Sequence, residues 1–153
     1  MAVIKDLLWF TQIERSTRGW RSHVELAGED IGAGAQGILM TERNFSQEEF
    51  LETALKVKAV CDEARVPLWI RDNVVVAFVA SATGVVVSMP GLAGARRVVS
   101  GAGLVAVEVE SDTAREAAFR AGADRVMMAG DKIQAGSGLI LPSQVKVFAC
   151  MGQ

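Results

Sequence analysis

Arg71 and Asp72 terminate an apolar run, VPLWIRDN (66–73). A guanidinium and a carboxylate carried to the end of a buried strand have two uses. Asp72 can cap the helix that follows, or it can hold a metal ion or a substrate. Few other residues offer chemistry of their own. His23 is the only histidine and precedes the first helix, so no Ser-His-Asp or Cys-His pair is evident, and it reads as a surface or capping residue. Cys61 and Cys150 have neither zinc-site spacing nor a disulfide-rich pattern, which fits a reducing cytosol. Cys61 occupies an apolar helical position and reads as core; Cys150 fits core or surface. Met127 and Met128 read as core filler, and Arg96 and Arg97 as a solvated helix face. Trp9, Trp20 and Trp69 read as packing residues. Trp20, between Arg18 and Arg21 in the polar stretch STRGWRS, has a second reading as a lid or partner contact.

The whole chain limits what such residues can serve. It has 153 residues, of which 50% are apolar and 22% charged. That suffices for one domain with a real core and excludes a disordered chain. A net charge of -2 without a Lys/Arg run argues against a nucleic-acid partner. The apolar stretch in MAVIKDLLWFTQIERS is too short for a signal peptide, and no run reaches the roughly 20 apolar residues of a membrane span. A cytoplasmic protein with no nucleic-acid or membrane partner is expected.

The elements that must position these residues alternate regularly. Strands are predicted over 7–12, 36–41, 66–71, 84–89, 103–109, 124–130 and 144–150. Most are unbroken apolar runs, the pattern of parallel strands covered on both faces. Between them, Ser46 and Glu49 form a capping box, followed by an apolar stripe of Phe50, Leu51, Ala54, Leu55, Val57 and Cys61. A second helix opens at Ser111 or Asp112, packs Ala117, Ala118 and Ala121, and ends at Gly122. Weaker helices are predicted over 23–35, 73–82 and 91–101. Strand–helix alternation with short connections means βα units and a parallel sheet, either open and doubly wound or part of a (β/α)₈ barrel. GAGAQG (32–37) precedes a strand instead of following one, so it reads as a helix-to-strand joint and not a nucleotide loop.

The stretch GILMTERNFSQEEFLETALKVKAVCDEARVPLWIRDN resembles the second and third βα units of thiamine-phosphate synthase and its relative, thiazole tautomerase. ASATGVVVSMPGLAGARRVV, AREAAFRAGADRVMMAG and VKVFACMG are similar to later units, so the likeness covers most of 24–152. It implies a (β/α)₈ TIM-barrel-like fold, incomplete, with six or seven parallel βα units and the site at the C-terminal ends of the strands. An unclosed barrel exposes two edge strands, so a homo-oligomer covering them is expected.

Members of that family couple a pyrimidine diphosphate to a thiazole phosphate, with magnesium and basic groups holding the diphosphate. By resemblance, Asp72 stands at a metal-binding position, while the second metal-binding aspartate is replaced by Gly91. Leu39, Thr41 and Arg43 stand for the Gln, Arg and Lys of a Gln-x-Arg-Glu-Lys motif that keeps only Glu42. Arg71 replaces an asparagine, Val86 a histidine, Met89 a glutamine, and Glu108 stands near a serine. Lys132 lies near a lost Thr-x-Thr-Lys segment, and Gly152 falls in the glycine pair that ends the seventh strand. The resemblance therefore implies Glu42 and Glu108 as catalytic candidates, Arg43, Arg71, Lys132 and Gly152 as ligand-binding candidates, and Asp72 as a metal ligand. It also implies a pseudoenzyme: synthase chemistry lost, with a small phosphorylated or heterocyclic molecule as partner. The alternatives are an active thiamine-biosynthesis enzyme, by tautomerase-type proton transfer through Glu42 or Glu108 or by residual phosphate-synthase activity, and an interaction subunit without a ligand. Glu42, Arg43, Arg71, Asp72 and Glu108 should share one end of the barrel. There Arg71 or Arg43 is expected to neutralise Asp72 and Glu42 in an ion-pair network.

Overall fold

The computed structural model describes residues 3–99, 103–129 and 144–151. Its order is β1 (Val3–Ile13), α1 (His23–Gly32), β2 (Ile38–Met40), α2 (Gln47–Ala64), β3 (Leu68–Arg71), α3 (Val74–Val79), β4 (Gly84–Val87), α4 (Leu92–Val98), β5 (Leu104–Val109), α5 (Asp112–Arg120), β6 (Arg125–Ala129) and β7 (Gln144–Met151). Local chemistry sets the helix starts. The Ser46 hydroxyl accepts from the Glu49 amide, and the Glu49 carboxylate accepts from the Ser46 amide, so two orphan donors at the head of α2 are satisfied. Ser22 and Ser111 cap α1 and α5 by a single bond each, their hydroxyls accepting from the Glu25 and Ala114 amides. Helix α5 packs through Ala118, with Ala114 and Phe119 partly buried against the core. Ala117 and Ala121, expected to pack, face solvent, because the buried stripe falls one position away from the predicted one.

The seven strands form a closed barrel in chain order. β1 to β6 run parallel to their neighbours, whereas β7 runs antiparallel to both β1 and β6. The expected α/β, TIM-barrel-like fold of six or seven units is thus borne out, with two details corrected: the last strand is reversed, and the sheet is closed. A reversed strand satisfies the two edges as well as a parallel one, since each edge needs only backbone partners. With both edges paired, the argument from open edges to a homo-oligomer falls.

Alternation along each strand divides the core in two. Outward-facing residues such as Ile38, Met40, Leu68, Ile70, Val85, Val105, Val107 and Val126 pack beneath the helices. Inward-facing Phe10, Leu39, Trp69, Val86, Ala106, Met127, Val145 and Val147 fill the barrel, every strand contributing. Trp69 is therefore core, as expected, but Trp20 is 65% exposed. The large rings fit because glycines face them. A Cβ on Gly37 would run into the Phe10 ring, and one on Gly84 into the Trp69 indole and, at 2.6 Å, the Leu104 carbonyl oxygen.

Gly84→Ala is accordingly expected to destabilise the fold by roughly 3 kcal/mol, the upper range for overpacking, since backbone cannot yield as a side chain can. Gly94→Ala, in α4 with open space around the new methyl, should instead be neutral or stabilise by up to about 1 kcal/mol. Urea denaturation midpoints of the two variants check the contrast.

Candidate functional site

Two residues beyond the apolar filling, the same alternation turns a second set of side chains inward. Phe10 is followed by Gln12, Leu39 by Thr41, Trp69 by Arg71 and Ala106 by Glu108. All four line a cavity of about 980 Å³ at the C-terminal ends of the parallel strands, floored by the apolar layer. Leu39 and Val86 belong to that floor. Met89, expected beside them, is 42% exposed and lies outside it, because β4 ends at Val87 and the chain turns outward.

Arg71 is held at the centre of this rung. Its Nη2 donates to Gln12 Oε1 at 2.8 Å and lies 2.6 Å from Glu108 Oε2. The expected pairing of Arg71 with Asp72 does not form. β3 ends at Arg71, which enters the barrel, while Asp72 lies one residue beyond the strand and meets the cavity only at its rim. Asp72 takes a left-handed φ of 63°, sends its amide to the Val86 carbonyl at 2.8 Å, and keeps its carboxylate exposed. Among the described residues that carboxylate has no hydrogen-bond or ion-pair partner. Nor is Asp72 the cap of α3: the Asn73 side chain accepts from the Val76 amide and exchanges two hydrogen bonds with Gln47.

Glu42 is neutralised by Arg15 and not by Arg43. Its buried carboxylate lies 3.2 Å from Arg15 Nε and accepts from the Asn44 amide at 3.3 Å. Arg43 is instead exposed, with its guanidinium 3.9 Å from Glu14. Arg15 also stacks over Phe45, 4.3 Å from the ring centroid. Beneath this group sits His23, 1% exposed, which corrects its expected surface or capping role. Its Nε2 donates to the Thr41 carbonyl at 3.0 Å and lies 3.4 Å from Glu42, while Nδ1 is buried without a partner among the described residues. Burial opposes ionisation of Glu42, but the hydrogen bonds from Arg15 and Asn44 outweigh it and hold the carboxyl below its ordinary value. Burial pushes the His23 pKa down against the opposing pull of Thr41 and Glu42. Cys61, core as expected, has its thiol raised to about 11 by burial.

Glu42, Arg43, Arg71, Asp72 and Glu108 therefore share one cavity rim, as the sequence led one to expect. Lys132 and Gly152 lie outside the described residues. Arg96, expected on a solvated helix face, reaches Asp124 at 3.1 Å.

The family pattern for thiamine monophosphate synthase matches residues 11–131. The chain belongs to that family. Among solved structures, thiamine phosphate pyrophosphorylase from Pyrococcus furiosus superposes with a TM-score of 0.69 at 22% identity, covering 77% of this chain and 58% of that one. The likeness at that identity is one of fold, and the present chain spans less than two thirds of the other's length. No curated protein sequence matches it.

The magnesium site that the family resemblance implies does not fit the residues present. Magnesium demands near-octahedral oxygen coordination, whereas Asp72 is a lone exposed carboxylate and Gly91 stands where a second would be. Among the described residues no three His, Cys, Asp or Glu side chains converge on a common metal position. The residues that reading the sequence missed are Gln12, Glu14, Arg15 and His23. The first three had a signal: WFTQIER ends an apolar run with polar residues, as WIRDN does. His23 had none, because its burial depends on Phe45 and Thr41 from other segments.

A histidine whose folded pKa lies below its unfolded value, ordinarily about 6.5, favours the unfolded state once it must protonate. Its stabilising contribution is whole above about pH 6.5 and is lost as pH falls through that value toward the folded pKa. His23→Gln, which can keep the donor to Thr41, should remove the part of the decline in melting temperature between about pH 7.5 and 5.5 that this single histidine causes. Thermal melts of both proteins across that range are the check. An unchanged slope would mean that other groups cause it.

Proposed function

We propose that this chain is a divergent member of the thiamine monophosphate synthase family that does not run the synthase's diphosphate displacement and binds a small heterocyclic molecule in the strand-end cavity. What carries the reading is the state of Arg71. The guanidinium that β3 turns into the cavity is engaged by Glu108 and Gln12, and the floor beneath it is apolar. Diphosphate departure requires positive charge aimed at the leaving group, yet the lining offers Arg43 and Arg71 against Glu14, Glu42, Asp72 and Glu108. Of the phosphorylated and heterocyclic ligands that the resemblance implied, this balance favours the heterocyclic one. Phe45 and Phe50 add ring faces to a polar wall that supplies donors and acceptors.

A second reading, proton transfer of the tautomerase type, rests on Glu108. Of the two candidate bases, Glu42 is buried, bonded to Arg15 and held ionised, which suits it to structure and not to taking a proton. Glu108 lines the cavity and is partly open to it.

Thermal-shift measurements with the thiazole alcohol, hydroxymethylpyrimidine, their phosphate and diphosphate esters, thiamine phosphate and magnesium test these readings. The unphosphorylated rings are expected to stabilise the protein, by about 2.7 kcal/mol at a hundredfold excess over Kd. Coupled turnover of the two phosphorylated substrates would overturn the proposal. The absence of any shift would leave the interaction-subunit reading in its place.

A further inference from the structure

We propose that Glu108 determines the charge of the ligand this cavity accepts, by occupying Arg71 as an internal anion and keeping phosphate and diphosphate groups off it. The inference rests on the reading of the strand-end cavity as a ligand site and adds the residue that sets its selectivity.

The geometry supports it from both sides of the contact. Glu108 Oε2 is 2.6 Å from Arg71 Nη2, the distance of a charge-assisted hydrogen bond, and the same nitrogen donates to Gln12. A phosphate oxygen approaching Nη2 would come against a carboxylate oxygen already in contact with that atom. Like charges at such separations repel strongly in a partly desolvated cavity. The backbone starts both side chains on the inner face: Arg71 lies two residues beyond Trp69, and Glu108 two beyond Ala106, both of the inward-facing layer. Among the described residues, no neighbouring cation in the lining is spare to offset Glu108. Arg43 is exposed beside Glu14, and Arg15, just behind the lining, is committed to Glu42 and Phe45. Asp72 adds a further carboxylate that no described residue neutralises. A neutral or cationic ring meets none of this repulsion.

Glu108→Gln removes the charge while leaving a side chain of the same length that can still accept from Arg71. Isothermal titration with inorganic pyrophosphate, at low ionic strength, compares the parent protein, Glu108→Gln, Glu108→Ala and the Arg71→Gln/Glu108→Gln double variant. Cooperative melting confirms which variants are folded. The parent should show weak or no binding. The single variants should gain about tenfold or more in pyrophosphate affinity, the scale of removing one like charge at contact. The gain should fall with added salt and vanish in the double variant. Parent protein that binds pyrophosphate as tightly as the single variants would overturn the proposal, as would folded single variants with no gain or a gain that survives loss of Arg71. If the inference fails in this way while unphosphorylated rings still stabilise the parent, the ligand-site reading stands. A pyrophosphate gain with no ring stabilising the parent would leave the selectivity of Glu108 intact and remove that reading.

Discussion

A small closed barrel has an interior with room for little more than its own side chains. In this chain that room is taken by Phe10, Leu39, Trp69, Val86, Ala106, Met127, Val145 and Val147. The layer can be so full only because Gly37 and Gly84 give up their side chains beside the two large rings. Everything chemical follows from where this filling stops. Strands that alternate with period two must present their next inward residues together at one level, and those residues are Gln12, Thr41, Arg71 and Glu108. The apolar layer thus does two jobs at once: it stabilises the barrel, and it lifts the polar rung to the mouth, where water and a ligand can reach it.

The second consequence concerns charge. Carboxylates brought near an apolar floor need counter-ions, and each pairing uses a cation otherwise open to a ligand. Glu42 is the strongest case. Burial opposes its charge, and Arg15, Asn44 and the neighbouring His23 are assembled around it. Taken together, they knit the end of β1, the start of α1 and the segment after β2, where the connections would otherwise have little apolar surface to bury. The cavity wall is stiffened on this side by ion pairs that face inward to the protein. On the opposite side Asp72 remains uncommitted.

How much of this was legible in the sequence differs by the kind of constraint involved. Apolar runs of four to eight residues and two strong capping signals are local, and they yielded every strand and helix described. The gathering of Glu42, Arg43, Arg71, Asp72 and Glu108 at one rim also followed, because it needs only the order of βα units. Pairing did not follow. Arg71 and Asp72 are adjacent in sequence and were expected to be partners, yet the strand ends between them and Asp72 turns into a left-handed conformation that the sequence pattern does not announce. Arg71 meets Glu108, 37 positions on, because the two share an inward parity that only the register reveals. The direction of β7 was equally hidden: VKVFAC reads the same whether it runs up or down. His23 was misjudged because exposure depends on what covers a residue, and its cover comes from Thr41 and Phe45.

The comparison with the family therefore separates scaffold from chemistry. The shared scaffold is the barrel fold with its strand-end mouth. Residue types there nevertheless decide what the mouth can hold. The resemblance implies an asparagine where Arg71 stands, and that cation by itself would favour a phosphate. A glutamate near the position of a serine cancels it from the neighbouring strand but one, at 2.6 Å. Neither change can be judged alone: Arg71 without Glu108 would leave a cation aimed into the cavity, and Glu108 without Arg71 a carboxylate above an apolar floor. The two residues are coupled by contact, and their sum is a rung with no net charge to offer an anion.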